Sequence, residues 1–369
     1  MEAENRDHLS ADSSCIVPTG RTKTRFQETP LYPEGLYDLG NGIYAWMVPN
    51  GSWGESNAGL VVGKDSSLLI DTLWDHNYTQ QMLDAMKTVT ETAPIKTLFN
   101  THADGDHFWG NHLLKDIDII ASEASMNDMN HHKPVQMALF KKVGQFFSML
   151  PMKKYRRAGH WMKSMVQPYK FGEVIHTPAK RGFNDRMTLD VGGRDVELIE
   201  VGPAHRPGDA MAYIPDSKIL FTADILFINC TPVMWKGPVE NWIKALDLIL
   251  EMDVGKIVPG HGPITDKAGV QKVKDYWIFV SKQARQKFEA GVKPADAAYQ
   301  IAESQAFTSS IYMGWDSPER LMTNCHTLYR NFQSNMKPMS RMEIIGMMAN
   351  QAGLANQLSD ATPQCMRLK

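Results

Sequence analysis

The sequence predicts an α/β protein, and three observations carry that expectation. Between Gly42 and Val258, short β-rich runs alternate with helical patterning. That alternation is interrupted at residues 122–170 by a Met- and aromatic-rich segment of helical character. After Gly262 the strand signal stops, and residues 267–369 read as mostly helical.

In chain order, residues 1–35 are polar and punctuated by Pro18, Pro30 and Pro33, which predicts a loosely ordered N-terminal arm. Strands are expected over 43–48, 58–62 and 67–70, separated by Gly and Asp/Asn turns. Residues 75–90 read as an amphipathic helix with Met82, Leu83, Met86 and Val89 near one face, and 95–99 as the next strand. The insertion is expected to fold as two or three helices. Its Met and aromatic residues (among them Met137, Phe140, Phe147, Trp161 and Met165) are interleaved with Lys141, Lys142, Lys153, Lys154, Arg156 and Arg157. Strands return at 187–191, 195–201, 211–215 and 218–223. A helix follows over 239–252, then a last short strand at 256–258. The expected organisation is thus an arm (1–35), a catalytic-size domain (36–266) carrying the insertion, and a helical extension (267–369).

Bulk properties narrow the function. The 39 basic and 41 acidic side chains nearly cancel, and a net charge of −2 disfavours nucleic acid as a partner. The four cysteines, Cys15, Cys230, Cys325 and Cys365, form no C-x-x-C pair, so a reducing, cytoplasmic setting with inert thiols is expected. Cys230 reads as a core thiol. No apolar run reaches membrane-spanning length, and the first 30 residues hold no secretory h-region, so no membrane partner is expected.

The chemistry is concentrated at strand ends. Asn100-Thr101-His102-Ala103-Asp104-Gly105-Asp106-His107 places two histidines and two aspartates directly after an apolar strand. Imidazole and carboxylate are the usual ligands of zinc and similar ions, and Gly105 is expected to let the loop turn back on itself. The bland reading is a polar loop that caps the next helix. Three more strand ends weigh against it: His205 in Gly202-Pro203-Ala204-His205-Arg206-Pro207-Gly208, Asp224 after an apolar run, and His261 in Pro259-Gly260-His261-Gly262.

As an ordered set these motifs resemble the metallo-β-lactamase superfamily, whose pattern is H-x-H-x-D-H followed by a lone His, a lone Asp and a lone His. The resemblance covers roughly residues 40–265. It implies a four-layer αββα sandwich with metals at one edge between the sheets. It also implies one metal on His102, residue 104 and His205, a second on Asp106, His107 and His261, and Asp224 bridging. Asp71 resembles the family's early Asp, which supports the site from behind the ligands.

One position departs from the pattern. Asp104 stands where the family has its second His. Carboxylate is the harder ligand, so Mn or Fe becomes an alternative to Zn, with one or two ions held. Alternatively Asp104 does not ligate and the first site is weak.

A metal ion would make hydroxide available near neutral pH, with Asp106 or Asp104 orienting the nucleophile and taking its proton. The leading expectation is hydrolysis of an ester, lactone, thioester or similar bond in a small molecule. The insertion follows the metal loop directly and is expected to form a lid favouring apolar or aromatic substrates, with a helical subdomain core as the alternative. Trp235, Trp242, Phe147 and Trp161 are candidates for the pocket wall, against a plain core role. Other readings are a mononuclear iron oxygenase of the persulfide dioxygenase type, a sulfatase or hydrolytic dehalogenase, and a non-catalytic binding module. The helical extension is expected to brace the lid or to build a homodimer or higher homo-oligomer.

Overall fold

The structure is a computed structural model that describes residues 14–334, 337, 339–358 and 360–368. Two sheets face each other. The first has eight strands in sequential order: β1 (Ser14–Pro18), β2 (Gly35–Gly40), β3 (Ile43–Met47), β4 (Ala58–Val62), β5 (Ser67–Ile70), β6 (Ile95–Phe99), β7 (Asp118–Ser122) and β8 (Arg181–Phe183). β1 to β5 pair antiparallel, and β5 to β8 pair parallel. The second has five strands: β9 (Arg186–Asp190), β10 (Asp195–Glu200), β11 (Ala210–Ile214), β12 (Ile219–Phe227) and β13 (Lys256–His261). Only β12 and β13 pair parallel in it.

The apolar runs dictate this layering. In β3 alternate residues diverge: Ile43, Ala45 and Met47 join Val196, Leu198 and Phe221 in the core between the sheets. Trp46 on the same strand faces the outer helices. Such strands are buried on both faces and read as continuous hydrophobic sequence. Outside the first sheet lie α1 (His76–Thr90) and the insertion, α3 (Glu123–Met129), α4 (Pro134–Ser148) and α5 (Lys153–Val166). The short α2 (Gly105–Phe108) carries the metal-loop residues. Outside the second sheet, α6 (Val239–Glu251) and α7 (Lys267–Glu289) pack with α8 (Pro294–Glu303), α9 (Gln305–Thr308) and α10 (Leu321–Phe332). The last helix, α11 (Arg341–Gln357), crosses back and places Ala352 and Ala355 in the core beneath α5. The chain therefore has the expected four layers, with a helical extension that reaches both outer ones.

Several sequence expectations need correction. The arm is tied down from Ser14 onward, because β1 pairs with β2 as an edge strand; residues 1–13 lie outside the described residues. β1, β2, β7 and β8 escaped notice: β2 is framed by Gly35 and Gly40 and contains Asp38, β7 is a five-residue run that leads straight into the insertion, and β1 and β8 are short edges. Asp224 does not end its strand. β12 runs on to Phe227, and its pairing with β13 slips on either side of Ala223, whose φ is +45°. The local break turns Asp224 toward the neighbouring histidines.

Candidate metal centre

The site lies where strand ends of both sheets meet. Asp71 follows β5, Thr101 and His102 follow β6, and Asp106 and His107 sit on α2. From the second sheet come His205 in the loop after β10, Asp224 in β12 and His261 at the end of β13. All of these metal-set residues, Asp104 apart, are buried.

Each histidine spends its Nδ1 on a fixed partner and turns its Nε2 inward. Nδ1 of His107 meets Asp71 Oδ2 at 2.9 Å, and Nδ1 of His102 meets Thr101 Oγ1 at 3.0 Å. Thr101 in turn donates from its hydroxyl to Asp71 at 2.7 Å and from its backbone N–H at 2.8 Å. Asp71 therefore braces both rings of the first sheet, one directly and one through Thr101. Nδ1 of His205 donates to the Val233 carbonyl at 2.6 Å, and Nδ1 of His261 to the Glu55 carbonyl at 3.1 Å. These contacts set the tautomers that point every Nε2 inward, where it could ligate.

The four Nε2 atoms surround Asp224. Its Oδ2 lies 3.6 Å from His102 and 3.3 Å from His205, while its Oδ1 lies 3.2 Å from His107 and 3.5 Å from His261. One carboxylate thus faces both halves with separate oxygens. Ligand atoms of His102, Asp104, His205 and Asp224 lie within 4.8 Å of one another, as do those of Asp106, His107 and His261. The residues fit a cation on chemical grounds. Nε2 of His102, Nε2 of His107 and Oδ1 of Asp224 are buried with no hydrogen-bond partner, a costly state that a metal relieves. Gly260 belongs to the same arrangement, because a Cβ there would collide with the Asp224 carboxylate.

Electrostatics separate the members. Burial and the adjacent His107 hold His102 well below the usual imidazole value, which favours the neutral form that ligation would require. Burial also opposes charge on His107. The carboxylates of Asp224, Asp106 and Asp71 nonetheless carry it well above the usual value, so a metal must displace its proton. Burial pushes Asp106 up despite His107 and His261. Asp104 behaves oppositely: burial would raise it, but Arg206 and His205 hold its carboxyl well below the usual range.

Arg206 is the residue that sequence reasoning missed. Its guanidinium pairs with Asp104 Oδ1, approaches His132 Nε2 at 2.9 Å and Asp128 at 3.8 Å, and lies over the Trp235 ring at 5.7 Å. Meanwhile Asp104 Oδ2 meets His205 Nε2 at 2.8 Å. The loop bearing His205 and Arg206 is held by Asp209, which accepts from the backbone N–H groups of Ala204 and Arg206, and by Ser122 and Ser125, which donate to the Gly208 carbonyl. An arginine directly after the loop histidine, with an aspartate at the usual second-histidine position, was the available signal.

Gly105 was expected to turn the metal loop. Its backbone is helical and needs no positive φ, and the requirement is one of space, since a Cβ would sit 2.6 Å from the Trp109 ring.

Above the ligands is a cavity of about 550 Å³. Trp53, Trp74, Trp109, Phe227 and Trp235 line it, together with Asp104, Asp106, His205, Asp224 and His261. The insertion adds Met137, Phe140 and Met165, and the extension adds Arg320, Met347 and Met348. Of the four expected wall residues, Trp235 alone lines it. Trp242 is fully buried and donates to the Ile225 carbonyl, and Trp161 is fully buried with its edge against Trp53. Phe147 packs between Phe146 and Tyr155 on the hairpin. For the two tryptophans the helix turns the ring into the core. His132 faces the cavity, whereas His160 meets the Cys365 carbonyl and His112 stacks on His76. Cys230 is buried, as expected of a core thiol.

Comparison with known proteins agrees with this geometry. A family model described as the metallo-beta-lactamase superfamily matches residues 51–261. The chain is 23% identical over 208 residues to the 2,4-dinitroanisole O-demethylase subunit alpha of Nocardioides sp., covering 54% of this chain and 51% of that protein. It is 20% identical over 306 residues to the alkyl/aryl-sulfatase BDS1 of Saccharomyces cerevisiae, covering 75% and 46%. The solved stereoselective inverting sec-alkylsulfatase Pisa1 from Pseudomonas sp. superposes with a TM-score of 0.60 at 18% identity, over 86% of this chain and 54% of that one. The chain spans about half the length of these relatives.

Proposed function

We propose that this chain, which belongs to the metallo-beta-lactamase superfamily and is a hydrolase of that fold, cleaves an ester-type bond attached to a small apolar or aromatic body. The observation that carries the reading is the placement of Asp104, Asp106, His205, Asp224 and His261, members of the two convergent clusters, in the lining of a cavity walled by Trp, Phe and Met side chains. Zinc is the proposed ion, one or two per chain, with manganese or iron as alternatives. His102, Asp104, His205 and Asp224 would hold one ion, and Asp106, His107 and His261 the other, sharing Asp224. When bound there, such an ion would supply a water with a pKa of about 7 and a Lewis acid for the bond to be broken.

The chain's own residues do the rest. Asp71 and Thr101 keep the rings of His102 and His107 in register. Asp106 is the better placed carboxylate to take a proton, since Asp104 is already engaged by Arg206 and His205. The aromatic wall excludes water and orients the apolar body. Met137, Phe140 and Met165 support a lid role for the insertion.

A second reading, sulfate-ester hydrolysis, is favoured by Arg320. This buried cation lies 4.8 Å over Trp53 and 5.6 Å over Phe227, lines the cavity, and leaves its Nε without a partner. Two of the relatives are named as sulfatases, and a third as an aryl ether demethylase. The test is turnover of an aryl acetate, an aryl sulfate and an aryl methyl ether, before and after chelation and zinc reloading. Chelator-sensitive hydrolysis of the acetate supports the leading reading. Preference for the sulfate that is lost in Arg320→Met supports the second. No turnover of any of them by metal-loaded protein rejects both.

A further inference from the structure

The insertion presents a second surface that the catalytic reading does not use. On α4 and its C-cap Met149, residues 135, 139, 142, 146 and 149 fall within about 80° of arc at ~100° per residue. Four are large and apolar, Val135, Leu139, Phe146 and Met149, and they are 67%, 60%, 57% and 75% exposed. Lys142 completes the stripe. Met152 and Tyr155 extend it across the turn into α5, and both are exposed. The opposite side of α4 holds Met137 and Phe140, which line the cavity, and Gly144, which packs against α5.

The charge around this stripe is one-sided. Between Asp128 and Glu173 there is no acidic residue, while nine basic ones occur: Lys133, Lys141, Lys142, Lys153, Lys154, Arg156, Arg157, Lys163 and Lys170. The remainder of the chain holds 30 basic against 41 acidic residues, a net of −11. A cationic hairpin with an exposed apolar stripe therefore projects from an anionic body. Single exposed apolar residues are ordinary, but a contiguous stripe rimmed by charge marks an interaction site.

We infer that the α4–α5 hairpin docks the protein onto an anionic lipid surface, with Phe146, Met149 and Met152 entering the headgroup region and Lys153, Lys154 and Arg156 meeting its negative charge. Basic residues beside large apolar ones are the composition of helices that lie in a membrane interface. A second copy fits less well, because a symmetric contact through this patch sets like charges against each other. Nucleic acid would use the cations and leave the apolar stripe in water. The contact is peripheral: among the described residues no helix is long and apolar enough to cross a membrane. It departs from the sequence expectation of no membrane partner, and it does not rest on the catalytic reading. One helix diameter, about 10 Å, separates this surface from the cavity-lining face of α4.

The experiment is co-sedimentation of the full chain with two kinds of vesicle, one of pure phosphatidylcholine and one of equal parts phosphatidylcholine and phosphatidylglycerol. Binding is expected to the mixed vesicles alone and to weaken as salt rises. The triple variants Phe146→Ser/Met149→Ser/Met152→Ser and Lys153→Gln/Lys154→Gln/Arg156→Gln should each lose about tenfold or more in vesicle affinity. Their helical circular dichroism and their hydrolysis of a water-soluble substrate should stay at the wild-type level. Equal binding to both vesicle types, no binding to either, or variants that bind like wild type would each overturn the inference. So would a wild-type dimer that the serine variant converts to monomer, which would assign the stripe to a second copy.

Discussion

The two candidate ligand sets draw on the same residue types, but their carboxylates meet different neighbours. Asp106 faces imidazoles, with His261 Nε2 at 3.5 Å and His107 Nε2 at 3.9 Å. Asp104 faces an imidazole and a guanidinium, and that guanidinium is itself held by His132 and Asp128. A metal arriving at the first set must compete with Arg206 for Asp104, whereas one arriving at the second competes only with protons. The difference teaches that residue type alone does not grade a metal site, because the charge standing behind each ligand does so as well. The set containing Asp106 is expected to fill first.

The largest effect should come from removing what the two sets share. Asp224→Ala takes an oxygen from each, so metal content and turnover should both fall by more than the 10–100-fold typical of residues behind the ligands, with circular dichroism unchanged. Retained turnover would dismiss the shared-carboxylate assignment. Next is Asp71→Asn, which keeps a residue tolerant of the +63° φ at this position but weakens the brace on His107 and Thr101. Zinc affinity measured by chelator competition should drop about 10–100-fold. Arg206→Met sharpens the comparison directly. It frees Asp104, so in a zinc titration the first set should bind several-fold tighter and the two binding steps should draw together. An unchanged separation of the steps would show that Arg206 does not compete.

The smallest effect concerns the support beneath His261. Burial pushes the Glu55 carboxyl from 4.5 to about 8, although Arg25 and the Ser52 N–H favour its charged form. Between those values the folded state holds a proton that the unfolded chain has released, so stability falls as pH rises from 4.5 through about 8. Glu55→Gln should flatten the fall in Tm between about pH 5 and pH 8 while leaving turnover intact. A slope equal to that of wild type would place the proton elsewhere.

The parts legible in the sequence were those written as local pattern. The metal residues sit in short motifs after apolar runs, and β3 to β6 are bounded by clear turn residues. What was not legible depends on elements far apart in the chain. β1 is a strand only because β2 lies beside it, and the exposure of its alternate residues hides it from hydrophobicity alone. Trp242 and Trp161 look like wall residues until the packing of α6 and α5 turns them into the core. Arg206 carries a signal only in combination with Asp104, which lies 102 positions earlier and gives it its role. The extension carries no local motif that marks it as part of the site, yet α10 and α11 bring Thr327, Met347 and Met348 to the cavity, and Arg320 stands just before α10.

The split origin of the ligands has a mechanical consequence. His102, Asp106 and His107 are anchored on the eight-stranded sheet, and His205, Asp224 and His261 on the five-stranded one. A bound ion would therefore act as a rivet through this edge of the sandwich, adding to the hydrogen bonds that already join the layers there, such as those from Asn57 to the Pro259 and Gly262 carbonyls. Stripping it should let that edge breathe, so amide hydrogens near β6 and β13 should exchange faster and proteases should find the adjoining loops. Loading it should raise the unfolding temperature in proportion to the logarithm of free metal.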